Sequence, residues 1–328
     1  MKMQGLYKPY IEQYLDFKRS LGYKLRDVEY IFIQFDRLTI VKSERSIGIT
    51  KELSDEWCEK RPNESLGTRY ARVSQLSLFA RFLCEIGIPS YIPEVPRFQT
   101  RDAFVPYIFS KDEIGSIFSE IDRFVPENIT PDAAYAMMPT LFRLLYGTGL
   151  RLGEALELEE KDVNLKEQYV MVRQSKNGTE RIVPMSDSLT DVCGQYKDQK
   201  RLRMTGRIKS DLFFVKNDNS PCGKCTPYQS FRQTLFRSGI PHRGKGLGPR
   251  LHDLRHTFAC HSLAAMAESG IDLYHSLPIL STYLGHRALE STEKYVRLTS
   301  EMFPNVLKDV NAVCGYIFPA PELTNEEV

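Results

Sequence analysis

The stretch Leu251-His252-Asp253-Leu254-Arg255-His256-Thr257-Phe258-Ala259 opens an apolar run of helical spacing that reaches Met266. His252 and Arg255 stand one turn apart there, so both side chains leave the same end of one face. A cation beside an imidazole makes an anion site. Leu284-Gly285-His286 follows, and Tyr295 lies nine residues beyond His286. That step crosses a loop and a short helix read at 288–296, which can carry a phenol towards the same anion. The pairing points to phosphoryl transfer with a tyrosine nucleophile.

Upstream, Thr148-Gly149-Leu150-Arg151 breaks a helical stretch and starts another, with Glu154 one turn after Arg151. An Arg and a Glu at that spacing are by themselves an ordinary surface ion pair worth little. Between residues 168 and 185 the period of the apolar residues changes to two, with Asn177-Gly178 in the middle. That dipeptide between β-type runs signals a hairpin and puts Lys176 beside its tip, flanked by Arg173 and Arg181.

The rest of the chain reads as helix. Four helical stretches fill residues 6–86: a Tyr/Leu/Phe stripe ending at Gly22, a second run to Leu38, a third opened by Thr50 and a long fourth between 65 and 86. Arg69, Arg72 and Arg81 sit on the fourth; a DNA-binding face and a plain solvated face are both open there. Prolines at 89, 93, 96 and 106 then mark an extended linker. Ser110 with Glu113 three residues on is a capping box that opens the next helix. Further helices are expected over 132–146, 152–158, 189–203 and 226–238, and residues 243–250 form a glycine-rich basic loop.

In type, order and approximate spacing, TGLRxxE at 148–154, Lys176, HxxR at 252–255, Leu284-Gly285-His286 and Tyr295 resemble the tyrosine recombinase (phage integrase) family. The likeness covers about 106–310. The phrase from Leu277 to His286 is similar to integrases of transposons and other mobile elements. Arg255 and His286 are 31 positions apart, more than is common in the family, with an apparent insertion at 263–277.

The resemblance implies a mainly α fold with a small antiparallel β-sheet or hairpin in the catalytic domain. It implies a helical four-helix SAM-like core-binding domain at 1–90, a linker at 91–106 and a tyrosine recombinase catalytic domain at 107–303. A C-terminal helix at 304–318 would be exchanged between protomers, with packing on its own domain as the alternative, and 319–328 would be an acidic tail. The implied catalytic set is Arg151, Lys176, His252, Arg255, His286 and Tyr295, with Glu154 supporting and Tyr283 as the competing nucleophile. Arg69, Arg72, Arg173, Arg181, Arg243 and Lys245 are the residues expected on DNA. His256 and His261 are expected to face the core or neighbouring loops.

The chemistry accounts for these residue types. Attack on a phosphodiester builds negative charge on the non-bridging oxygens, which preorganised cations and donors must meet. Arginine suits this because its planar fork makes two parallel hydrogen bonds and keeps its charge. The resemblance gives a 3'-phosphotyrosyl bond, a free 5'-hydroxyl, His252 as acceptor of the nucleophile's proton and a homo-tetramer on double-stranded DNA core sites. The free chain is expected as a monomer or weak oligomer, and accessory recombination proteins are open. Strand exchange through a four-way junction is the first reading; type IB topoisomerase-like nicking and resealing, or a catalytically inactive DNA-binding member, are the alternatives.

Composition adds bounds rather than identity. With 44 Lys+Arg against 42 Asp+Glu, the net charge is +2, so nucleic-acid binding has to come from local arrangement. Seven scattered cysteines suit reduced thiols and a cytoplasmic location better than a disulfide framework, and the resemblance implies association with the nucleoid. No apolar run approaches the ~18 residues of a membrane span, and no membrane partner is expected. Cys222 and Cys225 read as a loop turn, since no second ligand pair accompanies them. No cofactor or metal is expected, and no carboxylate cluster suits a metal-dependent nuclease.

Overall fold

The computed structural model describes residues 3–23, 25–96, 105–124, 134–173, 180–203, 210–241 and 248–285, together with Thr292 and Tyr295. The chain divides into two compact units, Met1–Phe104 and Val105–Val328. Among the described residues no helix is long and apolar enough to cross a membrane.

The first unit packs α1 (Lys8–Ser20), α2 (Arg26–Val41), α3 (Lys51–Cys58) and α4 (Leu66–Glu85). Local chemistry sets two of the helix starts. Thr50 accepts the Leu53 N–H at 3.2 Å, and Ser65 accepts that of Thr68 at 3.1 Å. The apolar stripes then meet in an aromatic core in which Tyr14, Phe32 and Phe79 contact one another edge-on, with centroids 5.2–5.7 Å apart.

Two of the arginines expected on DNA have other roles in this unit. Arg72 is 3% exposed; its Nε and Nη2 each lie 2.9 Å from the Glu64 carboxylate, and its guanidinium lies 5.0 Å from the Trp57 ring. A charge taken out of water needs such a partner, and this one holds Arg72 in the interior rather than on a DNA-facing surface. Arg69 is half-buried and donates to the Cys58 carbonyl at 2.9 Å. Arg81 is exposed.

The second unit is mainly helical with a small antiparallel sheet. Its order is α5 (Lys111–Arg123), α6 (Met138–Thr148), α7 (Leu152–Leu156), β1 (Val163–Asn164), β2 (Tyr169–Val172), β3 (Arg181–Pro184), α8 (Asp187–Arg203), α9 (Cys225–Arg237), α10 (Asp253–Glu268) and α11 (Leu273–Leu284). The capping box at α5 forms as expected: Ser110 Oγ accepts from Glu113 N, and Glu113 Oε2 accepts from Ser110 N. The strands run β1-β2-β3, with Val170 opposite Val183 and Val172 opposite Arg181. The expected Asn177-Gly178 turn and Lys176 lie outside the described residues.

Helix α10 is the centre of this unit. Its residues from Asp253 to Thr257 are all buried, and α6 and α11 pack against it. A helix apolar on one stripe alone would sit at the surface; α10 has no exposed residue from Asp253 to Ala264. The segment read as an insertion is shared between the end of α10 and the start of α11, and α11 contains Pro278. Proline removes one intrahelical hydrogen bond, and here the helix nonetheless continues to Leu284.

Candidate phosphate pocket and tyrosine

Two glycines make the site possible. Gly149 closes α6 in the left-handed conformation, at φ 61°, and a Cβ there would come within 2.5 Å of the Phe258 ring. Its carbonyl accepts from Arg255 Nη1 at 2.6 Å. Gly285, at φ 66°, ends α11 against the Arg181 guanidinium, where a Cβ would lie 3.0 Å from Nη1. The neighbouring Leu284 carbonyl accepts from Arg255 Nη2 at 2.8 Å. Arg255 is thus 2% exposed and clamped between the ends of α6 and α11. Burial first, and then the nearby Arg151, lower its pKa to about 10, which leaves it cationic at neutral pH.

Arg151 precedes α7 and is less enclosed, with its side chain 24% exposed. Its Nη1 lies 2.7 Å from Glu154 Oε1, and its backbone N–H meets the same carboxylate at 3.1 Å. Glu154 also takes Arg181 Nη2 at 2.8 Å, on a side chain only 8% exposed. Burial alone would raise the pKa of Glu154, but the hydrogen bonds and charges of Arg181 and Arg151 outweigh it and hold the carboxyl below its ordinary value. Arg181 was expected on DNA; instead its guanidinium is buried between Glu154 and the Tyr283 carbonyl, which its Nε reaches at 2.9 Å. A carboxylate and a carbonyl that compensate its desolvation draw it inward.

Arg151, His252 and Arg255 line one pocket together with Gly153, Lys224 and Tyr228. His252 is the half-buried residue immediately before α10. Lys224 stands at the head of α9, its Nζ 3.2 Å from where a Cβ on Gly153 would be. Sequence reading passed over Lys224 and Tyr228 because their approach to the pocket depends on how α9 packs. Cys222 and Cys225 belong to the loop and first turn beside them.

Tyr295 is 1% exposed, its ring set among Ala259, Cys260 and Leu263 of α10 and Leu277, Leu280 and Leu284 of α11. Its hydroxyl lies 2.9 Å from His256 Nδ1 and also hydrogen-bonds Arg255. Burial pushes the phenol's pKa up to about 12, against the opposing pull of Arg255. His256, expected to face the core or loops, is buried and at the same time bonded to the tyrosine. Its position four residues after His252, on the same helix face, was the signal that could have found it.

The remaining candidates separate from this site. Tyr283 donates to the Pro184 carbonyl at 3.0 Å and stacks on Phe258, so its hydroxyl ties α11 to the end of β3. His261 pairs with the Tyr146 hydroxyl at 2.9 Å. Arg173 is exposed with its Nε 2.6 Å from Asp162. Lys176, Arg243, Lys245, His286 and the 304–318 segment lie outside the described residues.

The phage integrase family model matches residues 108–302. A putative integrase/recombinase, y4rB, of Sinorhizobium fredii is 29% identical over 304 residues, which is 91% of this chain and 95% of that protein. The tyrosine recombinase XerA of Pyrococcus horikoshii is 29% identical over 192 residues, 56% of this chain and 60% of XerA. Among solved structures, the Tn1549 transposon integrase in complex with transposon right end DNA aligns over 90% of this chain and 99% of that one, at 17% identity and a TM-score of 0.60. A lambda integrase dimer bound to a COC' core site aligns over 88% of this chain and 94% of that one, at 16% identity and a TM-score of 0.57. The structural likenesses speak for the fold. The family match spans more than half of the chain and takes in every residue that lines the pocket, and the chain belongs to the phage integrase family.

Proposed function

We propose that this protein is a site-specific DNA recombinase that breaks and rejoins strands through a 3'-phosphotyrosyl intermediate on Tyr295 and exchanges them through a Holliday junction. The observation that carries the reading is a juxtaposition: Arg151, His252 and Arg255 share one pocket, and the Tyr295 hydroxyl reaches Arg255 and the neighbouring His256. In this reading the two guanidinium groups and His252 receive the non-bridging oxygens of the scissile phosphate. Their charge is fixed before DNA arrives, by Glu154 on Arg151 and by the carbonyls of Gly149 and Leu284 on Arg255. Such preorganised cations favour the transition state because no reorganisation is needed when charge develops.

The Tyr295 oxygen forms a bond to phosphorus, the bond from phosphorus to the 5'-oxygen breaks, and Lys176 supplies that oxygen with a proton. His286 adds a further donor. The covalent link retains the energy of the broken phosphodiester, so a second strand's 5'-hydroxyl can reseal it without ATP. The first unit serves as the core-binding domain in this proposal, and four copies assemble on two duplexes. Support for that assembly comes from the lambda integrase tetramer bound to a Holliday junction, which aligns over 88% of this chain with a TM-score of 0.56.

The test is a nicked suicide duplex carrying the element-end sequence, incubated without metal or ATP. Wild type is expected to give a covalent protein-DNA band, and Tyr295→Phe none. A band that persists in the Phe variant moves the nucleophile elsewhere. Tyr283→Phe is the informative control: it should keep the band and cost about 1 kcal/mol of stability in chemical denaturation, the worth of one hydrogen bond.

A further inference from the structure

Residue His256 has no part in the chemistry described above. It is 5% exposed, one turn after His252 on α10, with the two imidazoles edge-on at 4.9 Å between centroids. The two rings face different groups. His252 lines the phosphate pocket, whereas His256 directs Nδ1 to the Tyr295 hydroxyl at 2.9 Å.

We propose that His256 is the proton acceptor for Tyr295, leaving His252 as a donor to the phosphate. The inference rests on Tyr295 being the nucleophile. With its proton on Nε2, His256 presents an unprotonated Nδ1 that accepts the phenolic O–H. As the Tyr295 oxygen bonds to phosphorus, its proton passes to Nδ1, and the 5'-oxygen departs with a proton from Lys176. Rejoining reverses each transfer: the incoming 5'-hydroxyl gives its proton to the neutral Lys176 and attacks phosphorus, the bond from phosphorus to the Tyr295 oxygen breaks, and the imidazolium returns a proton to that oxygen.

Three observations support this division of roles. The phenol and imidazole are both buried, so bulk water is a poor competitor for the proton. The phenol is protonated at neutral pH, burial makes its proton harder still to remove, and attack therefore needs an acceptor within hydrogen-bonding reach. Among the described residues, the titratable and charged groups that act on the pair include His252, Arg255 and Cys260 on α10 and Arg151 at the head of α7. The two arginines are cations and cannot take the proton, and Cys260 is a one-turn neighbour on the apolar side.

The experiment measures the single-turnover rate of covalent complex formation on the suicide duplex against pH, for wild type, His256→Asn and His252→Asn. Asparagine keeps an acceptor near the position of Nδ1 but cannot hold the proton. His256→Asn should form the complex about 10²- to 10⁴-fold more slowly at neutral pH and recover as pH rises towards the phenol's own ionisation. A substrate whose 5'-bridging oxygen is replaced by sulfur, a leaving group that needs no proton, should not restore it. If His256→Asn melts early, His256→Ala with added imidazole replaces it, and the rate should rise with imidazole concentration. An unchanged rate and pH profile, or a faster rate, would overturn the proposal and make the contact a resting-state latch. Absence of a covalent complex in wild type, or its persistence in Tyr295→Phe, would instead indict the nucleophile assignment.

Discussion

Arg151→Lys is expected to slow covalent complex formation by about a hundredfold to a thousandfold, the typical cost of removing one preorganised donor from a developing oxyanion. Lysine keeps the charge but not the planar fork, so the bidentate grip on phosphate and the fixed bond to Glu154 are lost together. The side chain lies at the pocket edge and is 24% exposed, so the fold should tolerate the change better than at Arg255. At Arg255 the Gly149 and Leu284 carbonyls would be left short of donors in the interior. Single-turnover cleavage and a gel-shift measured side by side check the expectation. Binding that is abolished while the protein still melts cooperatively would count against a catalytic role for Arg151.

The second large effect is on stability. Glu154→Gln should cost the second unit about 3–5 kcal/mol, because it leaves the Arg181 guanidinium buried without its counter-charge. The same pair makes a pH prediction. The folded-state pKa of Glu154 lies below its ordinary value of 4.5, so its contribution is complete above that value. It is lost as pH falls through the depressed folded value and the carboxylate protonates. Thermal melts should therefore show wild type losing stability on acidification below about pH 4.5 more steeply than Glu154→Gln, which has no proton to take up there. Parallel curves for the two proteins would mean that the Glu154 charge does not hold Arg181.

What could be read from the sequence was what short-range physics determines. Thr50, Ser65 and the Ser110–Glu113 box start helices through bonds that span three residues, so the spacing alone suffices. The hairpin strands were legible from their period of two. The two-residue strand β1 was not, since two residues carry no period. Helix α11 was partly hidden by Pro278, which reads locally as a break.

At the site the division is the same. HxxR and the residues at 148–154 declared themselves as motifs, but the partners that fix them did not. Arg181 finds Glu154 across 27 positions and the Tyr283 carbonyl across 102, and Arg255 finds Gly149 across 106. A basic residue beside a hairpin tip therefore read as a DNA contact when its charge is spent inside the protein. Arg72 misled in the same way, since its Glu64 partner precedes α4 and its cover is the Trp57 ring of α3. His256 meets Tyr295 across 39 positions, and only the helix face it shares with His252 hinted at it.

The central claim is that Tyr295 becomes joined to a 3'-phosphate. Proteolysis of the covalent complex, followed by mass spectrometry of the peptide that carries nucleotide, tests it most directly when each strand is labelled separately. The account predicts a single modified peptide containing Tyr295, attached to the strand that ends in the 3'-phosphate, with a free 5'-hydroxyl on the other product. A modified peptide containing Tyr283, or attachment to the 5'-phosphate, would contradict it.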